Sequence, residues 1–526
     1  MTKVNHQALK PETSHQPLCW FDKEKARGFP GRFFFVCCGC SRGINSRLEL
    51  CMAENSPKYR HPQHSDTNGN GSAGIFDVAQ SSFWAVLAIV VFAFAFGGGG
   101  SKYGLANLIV QLAALIALAL HRRAFFDFWR SAPTTLRVLI GLSIALPIAF
   151  IIPLPFGVWS SLPGRELMVQ SYELLGENGW ASASVDPVRT LLALTALIAP
   201  LALLSIGWRT PRERLILIGW VLVGIGVANF ALGIPQVLTN SETGVLYPEN
   251  PMPGVLFGTF ANRNSTGLFL VGALTFAAFL PMLPKFIRAD MPIRIGVCIL
   301  LVVAILLTRS RTALVLAMIP LSLAALRIVA ARLGAGSAHS QSGGRKGWMA
   351  LVPVALLVTV FAGTLIAAPG RVNDVVERFD SAGDARSYIW DDATYSAGRY
   401  WPIGSGMGTF DDVFQVDESL ENMTVRKAGR AHNDYLEVAI EAGLPGLLLV
   451  SAWLIVLIIL SWSARTSHDR WIAWSGSIIL FAIALQSITD YPLRNMSILT
   501  FSGFALLILV RFGVQTSQDQ QQEVLP

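Results

Sequence analysis

Apolar runs long enough to cross a lipid bilayer recur along most of this chain of 526 residues. A membrane-spanning helix needs roughly 17–25 predominantly apolar residues. About twelve runs meet that requirement, at 81–97, 104–120, 136–153, 191–208, 215–235, 266–283, 293–308, 312–330, 348–368, 444–462, 472–489 and 495–511. Only Arg309-Ser310-Arg311 divides the seventh run from the eighth, so these are either two helices or one. The pattern predicts an all-α polytopic integral membrane protein of about twelve transmembrane helices, with one large, partly helical outer loop.

The composition agrees with this fold class. Hydrophobic residues make up 52% of the chain and charged residues 14%, whereas soluble domains average about 25% charged residues. A soluble protein of this length is therefore excluded. The formal net charge of +7 is carried largely by the loops between apolar runs, where it reflects orientation in the membrane. No nucleic-acid partner is predicted.

Lysine and arginine concentrate in alternate loops, which predicts the orientation. An excess of these residues marks the cytoplasmic side. In a twelve-helix arrangement the basic clusters at 121–130, 209–214, 285–294, 327–346 and 465–470 fall on one side. Both termini are therefore expected to be cytoplasmic. The outer side receives 96–100, 159–189, 236–264, the Arg309/Arg311 turn, 369–443 and Asp490-Tyr491-Pro492.

These assignments divide the chain into five parts. The parts are a cytoplasmic tail without regular structure (1–80), nine transmembrane helices (81–368), a large outer loop (369–443), three transmembrane helices (444–511) and a cytoplasmic tail (512–526). The first tail contains Cys37-Cys38-x-Cys40, but no second cluster follows at the spacing of a zinc site. Neither a metal nor a cofactor is predicted.

The outer loop is where chemistry is expected, and it closes on His432-Asn433. Seven of the eight histidines fall in segments assigned to the cytoplasm, whereas His432 faces outward at the membrane interface. Histidine is the side chain most often used as a general base near neutral pH. The alternative is that His432 caps the helix that follows or bonds a backbone carbonyl.

Two other outer segments place arginines at helix boundaries. Arg263 stands at the start of an apolar run, with Asn264 or Ser265 available as the N-cap. A helix N-terminus favours an anion, so this is a candidate phosphate site; the alternative is an arginine that reaches the lipid headgroups. Arg309 and Arg311 have almost no loop to solvate them, so at least one is expected to turn inward to an anionic partner.

An ordered set of motifs over roughly 190–510 resembles the O-antigen ligase and polymerase superfamily. The motifs are Gly258-Thr259-Phe260-x-Asn262-x-Asn264, Thr308-x-Ser310-Arg311, Arg386-x-x-x-Trp390, Pro402-x-Gly404-x-Gly406-x-Gly408-Thr409-Phe410, His432-Asn433-Asp434-Tyr435-Leu436-Glu437 and Gly443-Leu444-x-Gly446. The spacing of His432-Asn433 from Gly443-x-x-Gly446 is similar to the ligase branch in particular. Polymerases and protein O-oligosaccharyltransferases share much of this pattern.

The resemblance implies a metal-independent, inverting glycosyltransferase of the bacterial inner membrane, with its large loop in the periplasm. The donor would be a glycan on undecaprenyl diphosphate, and the acceptor a sugar hydroxyl on lipid A-core or on a growing glycan. His432 would activate that hydroxyl. Asp434, Glu437 and, less readily, Glu441 are candidates to orient His432 or to assist it in catalysis. The candidates to bind the diphosphate are Arg263, Arg309, Arg311 and Arg386, with Arg378 an alternative to Arg386. The residues expected to support the loop and the helix starts are Asn264, Asn433, Gly443 and Gly446.

Three alternatives remain open from the sequence. A repeat-unit polymerase of the same superfamily would share these motifs. A polysaccharide flippase or other secondary transporter would also have about twelve spans, but the runs show few central charges and no evident inverted repeat. A scaffold for polysaccharide assembly would not require His432.

Overall fold

A computed structural model describes residues 71–100, 102–239, 245–247, 252–335, 386–423 and 427–513. These residues belong to one folded unit, Asn68–Pro526. The predicted ninth span, 348–368, and Arg371 and Arg378 of the outer loop lie outside the described residues, as do Cys37, Cys38 and Cys40 of the tail.

The described residues are mostly helical. The first twelve α-helices are α1 (Gly71–Phe96), α2 (Gly104–Leu120), α3 (Arg122–Ser131), α4 (Thr134–Ile151), α5 (Phe156–Trp159), α6 (Glu166–Leu175), α7 (Pro187–Ala196), α8 (Ile198–Gly207), α9 (Arg212–Leu238), α10 (Arg263–Phe279), α11 (Asp290–Leu307) and α12 (Arg311–Ala335). The next five are α13 (Arg386–Tyr400), α14 (Phe410–Asp417), α15 (Asp434–Ser463), α16 (Arg470–Gln486) and α17 (Met496–Gly513). Two short antiparallel strands, β1 (Pro153–Leu154) and β2 (Ala181–Ser182), form a hairpin-like pair.

Eight helical segments among the described residues are long and apolar enough to cross a membrane, and a ninth is a pair bent by 81° at α2–α3. The expected count of about twelve is therefore not reproduced in this part of the chain. The sixth and eleventh predicted runs form α10 and α16, which have 17 residues each. At 1.5 Å per residue such helices span about 26 Å, slightly less than a bilayer core.

Two breaks in the helices differ from a simple reading of the apolar runs. The seventh and eighth runs are separate helices, α11 and α12, because the chain leaves the helical conformation at Arg309, where φ is +51°. The tenth run starts at Asp434, ten residues before the predicted start at 444, and it bends at Gly443. Likewise α1 begins at Gly71, within the segment assigned to the first tail.

The centre of the bundle is formed by α10 and α17. Nearly every residue of both helices after the first turn is buried. Aromatic rings join them to α1: the ring of Phe269 lies 4.2 Å from that of Phe94 and 5.6 Å from that of Phe501. Burial on all sides explains why α10 and α17 show no polar face.

The loops of the bundle gather at two opposite ends. At one end Arg209 pairs with Asp127, and Arg212 lies 3.9 Å from Asp469. At the other end, called here the site end, lie the segments 97–99, 252–262, 308–311, 386–423, 427–433 and 487–495. The two ion pairs of the basic loops and the outer segments named here therefore lie at opposite ends of the bundle.

An outer layer covers the site end and consists of residues 153–186, 386–423 and 427–433. Its small core includes Tyr400, Phe410 and Phe414. Arg165 is fully buried and donates hydrogen bonds to the carbonyl oxygens of Ala183 and Gly404. Burial lowers the pKa of Arg165 to about 10, which still leaves it charged near neutral pH. One side chain thus ties the two halves of the outer layer together.

Candidate active site

His432 lies where the outer layer meets the start of α15, in a strained backbone conformation. Its φ is +53°, and among the described residues only His432 and Arg309 are non-glycine residues with a positive φ. Such conformations are sparsely populated and gather at functional sites. Asn433, not His432, caps α15, because its side-chain oxygen accepts hydrogen bonds from the amides of Tyr435 and Leu436. The capping alternative for His432 is therefore wrong.

Asp490 is the carboxylate that holds His432. The His432 Nδ1 atom lies 3.2 Å from Asp490 Oδ1; the Asp490 side chain is 2% exposed and that of His432 is 32% exposed. A carboxylate oxygen accepts hydrogen bonds, so Nδ1 is the donor in this pair and Nε2 is the ring nitrogen on the other side. The imidazole is thus fixed on its buried side and open on the other.

Asp490 is itself held by the start of α10. Asn262 Nδ2 lies 3.4 Å from Asp490 Oδ2, and the ring of Tyr491 lies 5.0 Å from that of His432. Burial and then the negative charge of Asp490 raise the pKa of Tyr491 to about 12. The Tyr491 hydroxyl therefore keeps its proton at neutral pH, and this tyrosine is not a second base.

The N-termini of α10 and α12 meet beside this pair. Ser310 Oγ donates to Asn264 Oδ1 at 2.9 Å, the hydroxyl oxygens of Thr312 and Thr489 are 3.4 Å apart, and Gln486 Nε2 donates to the Asn264 carbonyl. The first helical residues are Arg263 and Arg311, so two cationic side chains and two positive dipole ends share one region.

The cap of α10 differs from the prediction. The side chain of Asn262 accepts from the amide of Asn264 and occupies the N-cap position, whereas Asn264 lies inside the first turn and bonds Ser310 instead. The prediction of Asn264 or Ser265 as the cap is wrong because the chain turns into the helix two or three residues earlier.

An irregular segment, 252–262, leads into α10 and is held by two buried amides of α9. Gln236 Oε1 accepts from the backbone amides of Phe257 and Gly258, and Asn229 Oδ1 accepts from the amide and hydroxyl of Thr259. Gly258 has a φ of +58°, and a Cβ there would lie 2.4 Å from Asn229 Oδ1. Non-helical backbone inside a membrane protein needs such internal hydrogen-bond partners. These contacts fix the position of Arg263, which follows the segment.

Arg386 begins α13, one helical turn before Trp390. Trp390 Nε1 donates to the carbonyl oxygen of Ala431, the residue before His432, at 2.8 Å. Residues four apart lie on the same face of a helix, so Arg386 stands about 6 Å along α13 from that contact. Arg386 therefore lies on the side of the outer layer that faces the start of α15.

The carboxylates at the start of α15 form a buried ionic network instead of orienting His432. Glu437 accepts from the Ala431 amide at 2.9 Å and from Arg430 at 3.1 Å. Arg494 lies 3.4 Å from Asp434 and 2.8 Å from Glu441. The prediction that Asp434, Glu437 or Glu441 orients His432 is therefore not supported by this geometry, in which Asp490 has that position.

Arg494 is the centre of this network. Burial lowers its pKa, but the attraction of Glu441, Glu437 and Asp434 outweighs burial and raises the pKa above its usual value. Arg494 therefore stays charged. Removing one member of such a buried group leaves an uncompensated charge, so the network fixes the start of α15 and with it the position of His432.

Gly443 of α15 allows the outer layer to approach closely, whereas Gly446 lies against the preceding turn of α15 itself. Gly443 has a φ of +54°, and a Cβ there would lie 2.1 Å from the carbonyl oxygen of Pro402. That carbonyl accepts from the amide of Leu444 at 2.9 Å, and the Gly406 amide donates to the carbonyl of Glu441. On Gly446 a Cβ would lie 2.5 Å from that of Ala442.

Sequence reasoning identified the segment that contains Asp490 and Tyr491 as outward but assigned neither residue a role, and it missed Arg494. The available signal was a set of charged residues, Asp490 and Arg494, in a short loop between two apolar runs. Charged residues at membrane depth are costly and usually have a partner.

A comparison with protein families gives the superfamily. Residues 296–451 match a family model described as O-antigen ligase. Over these residues the chain is similar to the O-antigen ligase family, which supports the ligase and polymerase superfamily. The match begins in α11, includes Arg309, Arg311, Arg386 and His432, and ends in α15 after Gly446. No curated protein matches the chain significantly.

The resemblance found in the sequence is confirmed by this O-antigen ligase match. Together with the apolar helices, it supports a multi-pass membrane protein of the ligase and polymerase type. Arg263 and Asp490 lie outside the matched residues, so their inclusion in the candidate site rests on the contacts described above.

Proposed function

We propose that this O-antigen ligase-domain protein transfers a glycan from undecaprenyl diphosphate to an acceptor sugar hydroxyl, on the periplasmic face of a bacterial inner membrane. The acceptor is lipid A-core in a ligase or a growing glycan in a polymerase. The observation that carries the proposal is the His432–Asp490 pair beside the N-termini of α10 and α12. A base and an anion-binding region are the two parts this chemistry needs.

His432 acts as the general base. The acceptor hydroxyl oxygen attacks the anomeric carbon of the donor, and its proton passes to His432 Nε2. The bond between the anomeric carbon and the diphosphate oxygen breaks at the same time, and the diphosphate leaves with the electron pair. Attack on the face opposite the leaving group inverts the anomeric centre. Asp490 is a positioning residue that holds the Nδ1 side of the ring, so that Nε2 is directed to the acceptor hydroxyl, and base catalysis contributes about 10²- to 10⁴-fold in rate.

The arginines at the helix starts bind the diphosphate. Arg263, Arg311 and Arg386 each begin a helix, and Arg309 lies in the strained turn before α12. Guanidinium groups match the geometry of phosphate oxygens and donate two hydrogen bonds at once. Because charge develops on the diphosphate as it leaves, fixed donors there lower the barrier. No metal ion is needed for this charge compensation.

The proposal is tested by profiling carrier-linked glycans in a strain that lacks this protein. Accumulation of full-length carrier-linked polymer identifies a ligase, and accumulation of single repeat units identifies a polymerase. Carrier-linked glycan that remains on the cytoplasmic leaflet contradicts both and identifies a flippase. An unchanged profile contradicts all three.

A further inference from the structure

A cavity of about 630 Å³ lies at the end of the bundle opposite His432. It is enclosed by the last turn of α10, the start of α11, the middle of α12 and the start of α16. Because α10 begins at Arg263 and reaches the cavity at Phe279, the two sites are about 24 Å apart along this helix. The cavity is therefore distinct from the candidate active site.

The cavity has an apolar wall and opens to the outside of the bundle. Its wall includes Ile295, Leu321 and Ile328. Ile287 and Met291 also line it, yet they are 62% and 49% exposed. In a membrane, the outside of an apolar helix bundle faces lipid chains. The exposed side chains of Ile287 and Met291 therefore offer an apolar chain of the surrounding bilayer a route to the cavity wall.

Most charged groups at the cavity are already paired. Arg294 donates to Asp290, at 2.8 Å, and to the carbonyl oxygens of Ala277 and Leu280. Asp469 lies 3.9 Å from Arg212. Asp290, Asp469 and Arg294 therefore contribute little net charge to the cavity, because each lies beside a group of opposite charge.

Arg327 differs from Arg294. Its guanidinium lies 5.1 Å from the ring centre of Trp471, and that ring stacks on Phe279 with 5.6 Å between centres and 3° between planes. Within the described parts of the chain, no residue accepts a hydrogen bond from Arg327. The stacking thus holds a cation at the cavity with its N–H donors available to a ligand.

We infer that this cavity binds an anionic phospholipid, with the lipid phosphate on Arg327 and one acyl chain along Ile295 and Ile328. Arginine recognises phosphate oxygens through its planar fork, and basic pockets between membrane helices bind lipid headgroups. The volume fits a headgroup and the start of a chain, since small-ligand pockets span about 300–1,000 Å³. The cavity lies at the end with the basic loops, which assigns the lipid to the cytoplasmic leaflet.

The test uses the purified full chain, stripped of lipid in detergent and then mixed with micelles that contain phosphatidylglycerol or phosphatidylcholine. Bound lipid is counted by native mass spectrometry, and Tm is followed in parallel. The variants are Arg327→Gln, which removes the cation, and Ala325→Trp, which fills the cavity from its wall. Arg288→Gln is the matched control, because Arg288 is exposed at the same end and does not line the cavity.

We expect the native chain to retain phosphatidylglycerol in preference to phosphatidylcholine and to gain Tm with it. Arg327→Gln is expected to weaken that binding about ten-fold or more, since a charged hydrogen bond contributes that much. Ala325→Trp should also lose the lipid, whereas Arg288→Gln should keep it. The inference is overturned if both lipids bind equally, if inorganic phosphate alone gives the same rise in Tm, or if both cavity variants bind as the native chain does.

Discussion

At the scale of single residues, the proposed catalysis depends on a histidine and an aspartate 58 positions apart. Asp490 fixes the Nδ1 proton of His432. The orientation of the ring therefore depends on the carboxylate group of Asp490 and not only on the size of its side chain. His432 and Arg309 also hold positive φ angles, a cost that the surrounding contacts must offset. The contact with Asp490 and the two positive φ angles place the side chains of His432 and Arg309 beside the starts of α10 and α12.

Asp490→Asn is predicted to lower the rate of transfer about 100-fold or more, because an amide can donate to Nδ1 and favour the wrong tautomer of His432. The effect should appear in kcat, with little change in KM for the donor, since Asp490 does not contact the diphosphate in this proposal. Steady-state kinetics of the purified variant measure both. Asp391→Asn, at an exposed position of α13, is the control and should retain activity. A purely structural role for Asp490 would lower the amount of folded protein and leave kcat per folded molecule unchanged.

Arg263→Lys and Arg386→Lys are predicted to impair transfer strongly, although both keep the positive charge, because lysine lacks the bidentate fork. The loss should appear as weaker donor binding and a lower kcat. Arg399→Lys and Lys427→Arg are the matched controls, since Arg399 pairs with Asp417 and Lys427 with Asp411 in the outer layer. If lysine serves as well as arginine at both test positions, these residues supply only general electrostatic attraction.

At the scale of helices and loops, the site is held by backbone contacts between the outer layer and α15. The carbonyl of Pro402 and the amide of Leu444 join at the bend of α15, and the amide of Gly406 bonds the carbonyl that the bend releases at Glu441. The ionic network around Arg494 fixes the same helix from its other side. The position of His432 is therefore set by two elements that meet at Gly443.

Gly443→Ala is predicted to lower the free energy of unfolding by more than about 1 kcal/mol, because the new Cβ meets the Pro402 carbonyl and an L-residue resists this positive φ. Tm in detergent and the rate of transfer should both fall. Gly398→Ala is the control: it lies in α13 with open space around it, and alanine favours a helix. An unchanged Tm for Gly443→Ala would mean that the close contact with Pro402 contributes nothing to stability.

At the scale of the whole molecule, the sequence predicts the apolar helices but not their number among the described residues, because each apolar run carries its own signal while its exact bounds depend on packing. It also groups the outer segments on one side through the alternation of basic loops. It does not predict that Asp490 pairs with His432, since a contact between two loops leaves no periodic trace. The sequence does not predict the cap of α10 correctly, because Asn262, Asn264 and Ser265 are all residues that cap helices well. It also misses the early start of α15. Three acidic residues there are typical of a loop, and only the structure shows that they pair with Arg430 and Arg494.

The orientation of the bundle gives a separate prediction. Reporter fusions after Arg130, Arg212 and His468 should read cytoplasmic, and fusions within 375–425 should read periplasmic, because the basic loops face the cytoplasm. Labelling of a single cysteine at Leu420, which is 83% exposed in the outer layer, by an impermeant thiol reagent gives an independent measurement. A cytoplasmic result for the outer layer would remove His432 from the face where the proposed reaction occurs.

The most direct measurement is the rate of glycan transfer by purified His432→Asn and His432→Ala, with a polyprenyl-diphosphate-linked donor and a sugar acceptor. Because Asn433 already caps α15, an asparagine at 432 cannot rescue activity by capping, and it cannot take a proton near neutral pH. Both variants are predicted to fold and bind the donor like the native chain while transferring about 10²- to 10⁴-fold more slowly. A His432→Asn protein that transfers at close to the native rate would contradict base catalysis and leave diphosphate binding by the arginines as the source of the rate.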